Sequence, residues 1–391
     1  MRLGIYCDSG INGGHEEMLK RLILALASSE HVDTLYILVP ESNALLHRYV
    51  TDLAHDNEKI RAVALAFTSE TLRENRLTLV RAIRRTTATL RLLKLTKLIV
   101  AQGTIVSGLA GLIAGRYARL PTVSYLPLVD DPPVGAGATG KVKWLIKRVL
   151  YRAPNEFITL NDHLRLKLSM LAPRARAMVL ENYVDDRFSR SRLRKREARA
   201  ALGLPEDGTT IISHIGRINF CQKRQDFLMG AIERHPEAFK HALVLVVGEG
   251  SDASHLAARV QASPILSSCV RLVGPQSDVL PYIVASDTLV LPSAFEGVPL
   301  VMIESVLAER PIIVSRVSGL DLYLPDALLF PVDDVDAFVD RIFSAPDVPM
   351  KVLASEFRRR FSREVFNAQA QKVIAIAPSQ PGASDLRTTQ S

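Results

Sequence analysis

Two carboxylates eight residues apart form the part of the sequence best suited to chemistry. Glu296 and Glu304 lie in the segment Phe295-Glu-Gly-Val-Pro-Leu-Val-Met-Ile-Glu304. Such carboxylates accept hydrogen bonds from sugar or ribose hydroxyls, while exposed backbone amides of residues 297–300 can meet an anionic group at the start of a helix. A sugar nucleotide contains all of these groups. The simpler alternative is an ordinary helix start at which both acids complement the helix dipole.

Two cations six residues apart occupy a second loop. Arg217 and Lys223 belong to Ile215-Gly-Arg-Ile-Asn-Phe-Cys-Gln-Lys223, which follows an apolar strand. Guanidinium and ammonium groups that converge there would neutralise a diphosphate leaving group. The alternative is a pair of solvent-exposed charges of the kind that any basic protein carries.

Two glycine-rich loops follow other strands. Near the amino terminus, Gly10-Ile-Asn-Gly-Gly-His-Glu16 precedes a helix that we expect to begin near Glu16, and its glycines would let backbone amides approach a phosphate. His15 on its own is expected at the surface. Gly248-Glu-Gly250 ends a later strand, but no glycine follows three residues on, so the fingerprint of nicotinamide enzymes is incomplete.

These loops need a sheet that brings strand ends together. Apolar strands alternate with helical stretches in the first half, and the second half repeats the rhythm; the strands are expected at residues 3–7, 35–39, 62–66, 98–101, 122–126, 157–160, 210–215, 243–247, 270–273, 288–291 and 312–315. Such alternation predicts an α/β fold with two doubly wound parallel sheets. Ligands bind at the carboxyl edge of such sheets, where we expect the loops described above.

Length and composition agree with two domains. The chain has 391 residues, of which 48% are apolar, and this exceeds one typical core. Cys7, Cys221 and Cys269 are far apart and lack a metal-binding spacing, so we expect neither a disulfide framework nor a metal site, and a cytoplasmic location fits. The early charges and the lack of a long apolar run predict a soluble or peripheral protein with no signal peptide.

Positive charge is concentrated in the first half. Residues 1–190 hold 27 Lys and Arg against 18 Asp and Glu, whereas residues 191–391 hold 22 against 23. Residues 73–97 mix apolar side chains with Arg73, Arg76, Arg81, Arg84, Arg85, Arg91, Lys94 and Lys97. This pattern predicts either an amphipathic helix on an anionic membrane surface or a core-facing helix with a solvated basic face. The segment has no aromatic residues for base stacking, which disfavours nucleic acid as a partner.

Five motifs follow one another in a specific order and spacing: Gly13-Gly14-His15-Glu16, Asn182-Tyr-Val-Asp185, Gly216-Arg217 with Lys223, Val247-Gly-Glu-Gly250, and the pair Glu296 and Glu304. Together they resemble the retaining glycosyltransferases of the two-Rossmann GT-B fold, specifically the large family 4, the group 1 glycosyl transferases. The resemblance covers nearly the whole chain.

The resemblance implies two Rossmann-like domains that face a cleft. It places an acceptor-side domain at residues 1–185 and a nucleotide-sugar-binding domain at residues 186–360, with a hinge near residues 183–200. A carboxyl-terminal helix at residues 361–376 would cross back to the first domain. Residues 377–391 have the composition of a disordered tail.

The resemblance also implies a role for each matching residue. Arg217 and Lys223 would bind the donor diphosphate, and Glu296 the hydroxyls of the transferred sugar; these three are the expected catalytic residues. Glu304 would bind the nucleotide ribose. The other residues expected to line the donor are Gly13, Gly14, Gly216, Gly274, Gly297, Val298, Pro299 and Leu300.

The implied mechanism uses no metal, no cofactor beyond the nucleotide sugar and no covalent enzyme intermediate, because the departing diphosphate helps to deprotonate the acceptor on the face that it leaves. One segment departs from the family pattern. The family often has a histidine near the donor sugar, after the strand here written Pro121-Thr-Val-Ser-Tyr-Leu-Pro127, and this segment has none. We expect Tyr125 or Asp130 in that space.

The leading hypothesis is transfer of a hexose to a hydroxyl of a lipid-linked or polysaccharide acceptor by a protein whose basic first domain lies near a membrane. Two alternatives remain open. A sugar-nucleotide epimerase of the same fold would convert the donor without any acceptor, and a degenerate, binding-only member would account for the missing histidine. Pocket-lining side chains decide the base, the sugar, the acceptor and the linkage, so these motifs do not identify them.

Overall fold

Two parallel sheets, each wrapped by helices, make up the fold. The computed structural model describes residues 1–11, 13–74, 76–132, 137–206, 208–344 and 347–375. The first sheet has seven strands in the order β3-β2-β1-β4-β5-β6-β7, and the second has six in the order β10-β9-β8-β11-β12-β13. The expected α/β fold with two doubly wound sheets is therefore confirmed.

The first sheet and its helices alternate along the chain from Arg2 to Val179. Every strand pairs in parallel with its neighbours. The elements are β1 (Arg2–Tyr6), α1 (Gly14–Ala27), β2 (Thr34–Pro40), α2 (Ala44–Asp56), β3 (Ile60–Leu65), α3 (Ser69–Glu74), α4 (Arg76–Leu92), β4 (Lys97–Ala101), α5 (Leu109–Tyr117), β5 (Thr122–Tyr125), α6 (Ala138–Leu150), β6 (Glu156–Thr159), α7 (Asp162–Leu171) and β7 (Arg176–Val179).

The second sheet follows after two short helices, and its strands also pair in parallel. The elements are α8 (Arg187–Arg190), α9 (Lys195–Ala201), β8 (Thr210–Ile215), α10 (Gln225–Arg234), β9 (Ala242–Val247), α11 (Ala253–Ala262), α12 (Pro264–Cys269), β10 (Val270–Gly274), α13 (Leu280–Ala285), β11 (Thr288–Leu291), α14 (Leu300–Leu307), β12 (Ile312–Ser315), β13 (Leu329–Phe330), α15 (Val335–Phe343), α16 (Met350–Arg360) and α17 (Arg363–Ala375).

The central strands are apolar because helices cover both faces of each sheet. All residues of β4, β5, β11 and β12 are buried, which explains why these strands do not alternate between apolar and charged residues. Two edge strands, β7 and β13, are not among the strands that the sequence predicts. β7 is only partly buried, and β13 has two residues, so neither forms an apolar run long enough to recognise.

The basic segment at residues 73–97 follows the core-facing alternative. Ala82, Thr86 and Leu90 on one side of α4 are buried, and cationic residues cover the opposite side. The exposed cations are Arg81, Arg84, Arg85, Arg91 and Lys94. The side chains of Arg73 and Arg76 lie outside the described residues.

Lys97 is the exception in that segment, because the prediction that it belongs to the basic surface is wrong. It is buried, and its Nζ lies 2.9 Å from Glu156 Oε2. Lys97 Nζ also donates to the carbonyl of Val373 at 2.9 Å, so the ion pair ties α17 to the first sheet. Lys97 therefore has a structural role, because it neutralises the buried Glu156 carboxylate.

The carboxyl-terminal helix crosses back to the first domain, as expected. Gln371 Nε2 donates to the Ala25 carbonyl of α1 at 2.7 Å, and Glu181 N donates to Gln369 Oε1 at 3.0 Å. This helix is α17, which follows α16 after a break at residues 361–362. The tail expected at residues 377–391 lies outside the described residues.

Breaking the Lys97 and Glu156 pair should destabilise the protein strongly. Lys97→Met leaves a buried carboxylate without its cation, a change that costs about 3–5 kcal/mol of the free energy of unfolding. The double variant Lys97→Met/Glu156→Met removes both charges and should recover most of the loss. Urea unfolding followed by circular dichroism measures both. A loss below about 1 kcal/mol in the single variant would contradict a buried, mutually dependent pair.

Candidate functional site

The candidate site lies where the strand order of the second sheet reverses. β8 and β11 are neighbours, yet β9 and β12 continue outward from them in opposite directions. Ligands of doubly wound sheets bind in the crevice at this switch point, beyond the carboxyl ends of the strands. The loop 216–224 follows β8, and the loop 292–299 follows β11. A backbone hydrogen bond of 2.8 Å from Ala294 N to Gln222 O joins the two loops.

Lys223 and Glu296 form an ion pair between these loops. Lys223 Nζ lies 2.5 Å from Glu296 Oε1, and the two side chains are only 15% and 5% exposed. The buried His214 stands beneath Lys223. Burial lowers the pKa of His214 to about 4, and the charge of Lys223 acts in the same direction, so this imidazole is neutral at pH 7. His214 therefore adds no positive charge beneath the ion pair.

Arg217 extends from the loop 216–224 to the glycine loop of the first domain. A Cβ atom added to Gly13 would overlap the Arg217 guanidinium, so only glycine fits there without moving Arg217. A Cβ atom added to Gly14 would lie 3.5 Å from Leu300, an ordinary van der Waals distance. Gly14 is already the first residue of α1, two residues before the expected start. The structure thus brings together Gly13, Gly14, Arg217 and Leu300 across the cleft.

His15 is not the surface residue that the sequence suggests. Both ring nitrogens are shielded from solvent, and the ring lies 5.4 Å from the ring of Tyr125. Burial lowers the pKa of His15, and the nearby charge of Arg217 lowers it further, while Glu16 opposes them. The His15 side chain therefore lies beside the end of β5. This is the strand end at which the family pattern has a histidine.

The two residues expected to fill that space have different surroundings. Tyr125 is buried at the end of β5. Asp130 pairs with Lys147 at 2.5 Å and accepts a hydrogen bond of 3.0 Å from the Tyr151 hydroxyl. Asp130 is thus held by α6 and its end, whereas Tyr125 is the one in contact with His15.

The turn at residues 297–299 is buried between the domains, so the expectation of exposed amides is wrong there. A Cβ atom on Gly297 would lie 2.7 Å from both the Pro127 carbonyl and Leu160 of the first domain. Asn182 Nδ2 donates to the Val298 carbonyl at 2.6 Å. Pro299 has no N–H, so it offers only its ring and carbonyl, and that carbonyl accepts from Met302 N at 3.2 Å.

Glu304 lies in α14, half-buried on the side that faces the first domain. Burial raises its pKa to about 7, although the charges of Arg21 and Arg187 lower it. A carboxyl group with this pKa exchanges its proton near neutral pH. In its carboxylate form, Glu304 can accept hydrogen bonds from hydroxyl groups. A cationic or dipolar group bound beside it would lower its pKa and so favour the carboxylate.

The remaining expected glycines connect the loops of neighbouring strands. Gly216, Gly248 and Gly274 all have positive φ angles, of 155°, 142° and 81°. Gly216 N donates to Val247 O, and Gly248 N donates to Gly274 O, each at 2.9 Å. A Cβ atom on Gly248 would overlap the Gly216 carbonyl, so this glycine permits close packing of loops. A Cβ atom on Gly274 would meet nothing within 4 Å, which leaves the end of β10 open.

Several cross-domain residues have no role in the sequence-based account. Arg21 donates to the Tyr183 carbonyl, stacks at 4.6 Å over its ring, and acts electrostatically on Glu304. Asn161 Nδ2 donates to the Ser318 carbonyl at 3.1 Å. The motif at residues 182–185 marks one of these positions, but Arg21 and Tyr183 are 162 residues apart, and no local pattern signals their contact.

Three side chains beside the glycine loop approach one another as metal ligands do. Cys7 Sγ, a ring nitrogen of His15 and a carboxylate oxygen of Glu16 lie within 4.8 Å of one another. Thiolate, imidazole and carboxylate are ligands that Zn²⁺ accepts. Burial raises the pKa of the Cys7 thiol, so a metal would have to displace its proton. The expectation that the protein uses no metal remains a prediction.

The second domain matches a known family. Residues 209–345 match the model described as glycosyl transferases group 1. A UDP-Gal:alpha-D-GlcNAc-diphosphoundecaprenol alpha-1,3-galactosyltransferase from Escherichia coli is 29% identical over 109 residues, which cover 27% of this chain and 28% of that protein. A D-inositol 3-phosphate glycosyltransferase from Saccharomonospora viridis is 29% identical over 183 residues, 42% of each chain. The chain spans under half the length of these curated relatives.

Solved structures show the same fold over nearly the whole chain. Anabaena Alr3699/HepE, in complex with UDP-glucose, has a TM-score of 0.73 at 16% identity and covers 96% of this chain and 99% of its own. The fold is therefore GT-B, and the resemblance to GT-B glycosyltransferases is confirmed at that level. Among the described residues, no helix combines the length and apolar character that a bilayer span requires.

The raised pKa of Glu304 should make stability depend on pH. The folded state holds this proton more tightly than the unfolded chain, so the free energy of unfolding falls as pH rises from about 4.5 to about 7. Glu304→Gln should remove this dependence and gain about 1–3 kcal/mol relative to wild type between pH 5 and pH 8.

Chemical denaturation at the two pH values measures this difference. Glu309→Gln, an exposed residue just beyond α14, is the matched control and should not change the pH dependence. An equal stability difference at both pH values for Glu304→Gln would show that Glu304 titrates as an ordinary carboxyl group.

Proposed function

We propose that this chain, which has the GT-B fold and whose second domain matches the group 1 glycosyl transferases, is a retaining glycosyltransferase. It moves a hexose from a nucleotide diphosphate sugar to a hydroxyl of a lipid-linked or polysaccharide acceptor. The observation that carries the proposal is the Lys223 and Glu296 ion pair at the switch point, with Arg217 on the same loop as Lys223. One cation-lined crevice with a neighbouring carboxylate suits a donor that has phosphates at one end and sugar hydroxyls at the other.

Lys223 and Arg217 would stabilise the departing diphosphate. The ammonium group has three donors, so Lys223 can keep its hydrogen bond to Glu296 while it binds a phosphate oxygen. Arg217 is exposed in the cleft, where its planar guanidinium can bind phosphate oxygens in pairs. Negative charge develops on the leaving group in the transition state, and these cations act on it in a partly dehydrated crevice.

The two glutamates would bind opposite ends of the donor. Glu296 would accept hydrogen bonds from hydroxyls of the transferred sugar through the oxygen that Lys223 does not bind, and Glu304 would accept those of the ribose. The leaving diphosphate would take the proton of the acceptor hydroxyl on the face from which it departs, so the new bond forms with retention. No metal or covalent enzyme intermediate is needed. The buried turn at residues 297–299 would exclude water from this step.

The proposed acceptor rests on the relatives and on charge. The Escherichia coli relative is named for a diphosphoundecaprenol-linked acceptor. The exposed cations of α4, in the segment 73–97, would attract an anionic membrane surface on which such acceptors lie. Nucleotide sugars and three free cysteines suit the cytoplasmic side of that membrane.

A donor panel and product analysis test the proposed reaction. UDP-, GDP- and ADP-linked hexoses are screened by thermal shift, because a ligand that binds only the folded state raises its stability. Transfer to a lipid-linked acceptor is then assayed, and the anomeric coupling constant of the product is read by NMR. An α-linked product from an α-linked donor supports retention. A changed sugar nucleotide without acceptor would instead indicate an epimerase.

Removal of Lys223 should slow transfer far more than it weakens donor binding. Lys223→Met is expected to lower kcat by roughly 10²–10³-fold, because the lost interaction is strongest in the transition state. Arg224→Met, which removes the adjacent cation paired with Asp333, is the matched control and should retain near wild-type turnover.

Lys223→Met also leaves Glu296 buried without its partner. The double variant Lys223→Met/Glu296→Gln removes both charges, so circular dichroism of this protein separates lost folding from lost catalysis. A folded double variant with wild-type turnover would refute the assignment of both residues.

A methyl group at Gly13 should disturb the same site from the first domain. Gly13→Ala forces Arg217 away from the glycine loop, so we expect at least about tenfold weaker donor binding and lower kcat/KM. Gly230→Ala in α10, where a Cβ atom meets Arg259 only at 3.8 Å, is the control. Isothermal titration with the donor found by the panel measures the change. Unaltered affinity in Gly13→Ala would place the phosphates away from Arg217.

A further inference from the structure

Helix α6 presents an apolar face that nothing in the described chain covers. Val142, Leu145, Ile146 and Val149 recur at the spacing of one helix face, and these side chains are 58%, 60%, 55% and 62% exposed. No residue of α6 is buried. Amphipathic helices on globular proteins normally turn such a face toward the core, so this one is suited to a partner outside the described chain.

Cationic residues flank this face. Lys141, Lys143 and Arg148 are exposed, Lys147 pairs with Asp130, and no acidic residue lies between Ala138 and Leu150. Trp144 lies on the opposite side of the helix and is half-buried. An apolar stripe bordered by lysine and arginine is typical of helices that lie in the plane of a membrane interface.

We propose that α6 docks on the surface of a bilayer that contains anionic phospholipids. The four apolar side chains enter the boundary between headgroups and acyl chains, and the cations contact the lipid phosphates. This surface differs from that of α4, which buries Ala82, Thr86 and Leu90 and exposes cations.

A second copy of this chain fits the face less well. Pairing two α6 helices about a twofold axis would bring the same cations together without an acidic partner on either helix. Four side chains on a single helix also cover much less than the roughly 800 Å² per partner of a stable interface. An anionic surface matches both the apolar stripe and its charged borders.

Docking through α6 would bring the mouth of the cleft to the membrane. Lys147 of α6 and the Tyr151 hydroxyl at its end both hold Asp130. The same loop begins at Pro127, whose carbonyl lies against Gly297 of the candidate site. A lipid-linked hydroxyl would thus approach the cleft from the α6 side, a consequence that rests on the proposed function. The docking itself does not depend on it.

Vesicle sedimentation measures this docking directly. The full chain is mixed with vesicles of phosphatidylglycerol and phosphatidylcholine in equal parts, or of phosphatidylcholine alone, and the vesicles are collected by centrifugation. We expect the protein to sediment with the anionic vesicles only. High salt should weaken binding because it screens the lysine and arginine charges. No donor or acceptor is present, so failure here leaves the transfer reaction untouched.

Substitutions identify the surface that binds. Leu145→Gln/Ile146→Gln should weaken vesicle partitioning roughly ten- to a hundredfold, since it removes about half of the apolar stripe. The control Leu45→Gln/Val352→Gln, at side chains that are 67% and 57% exposed on other helices, should bind like wild type. Arg84→Glu/Arg85→Glu tests α4 in the same assay and should leave most of the vesicle binding in place.

Three results would overturn the proposal. One is the absence of binding to anionic vesicles. Another is binding that survives Leu145→Gln/Ile146→Gln, because a different surface would then be responsible. The third is a dimer in sedimentation velocity that the same double variant dissociates, since a second copy would then occupy the face.

Discussion

The ion pair between Lys223 and Glu296 is the interaction on which the candidate site depends. It joins two loops that the chain separates by 73 residues and that meet only because β8 and β11 are neighbours at the switch point of the second sheet. A buried ion pair adds little net stability, because dehydration of both charges offsets their attraction. Its value here is positional: it fixes a cation and a carboxylate side by side, where a phosphate and a sugar hydroxyl could each find a partner.

The first domain completes this arrangement from across the cleft. Gly13 leaves room for the Arg217 guanidinium, and Asn182 holds the Val298 carbonyl of the turn that carries Glu296. These contacts require the two sheets to keep a defined relation. Lys97 contributes to it at a distance, because this buried cation binds both Glu156 of the first sheet and the backbone of α17. Lys97 far from the cleft and Lys223 within it thus share one feature: each pairs with a buried carboxylate.

The sequence predicts those features that local patterns encode. Buried parallel strands are continuous apolar runs, so the two sheets and the loops that bear Arg217, Lys223 and Glu296 follow from the sequence. Features that depend on distant partners do not. Lys97 belongs to a basic segment in the sequence, yet its partner Glu156 is 59 residues away. The sequence suggests a surface position for His15, but the fold places Tyr125 of β5 beside it. The apolar face of α6 has the pattern of a core-facing helix, but no residue of α6 is buried.

A crystal structure of the protein with a bound nucleotide sugar tests the central claim most directly. The account predicts that the diphosphate lies within hydrogen-bond distance of Lys223 and Arg217, and that Glu296 accepts hydrogen bonds from the sugar while it stays paired with Lys223. The ribose should lie at Glu304. A donor bound elsewhere, or one whose phosphates avoid Lys223 while the ion pair remains intact, would contradict the account and reduce the pair to a structural link between two loops.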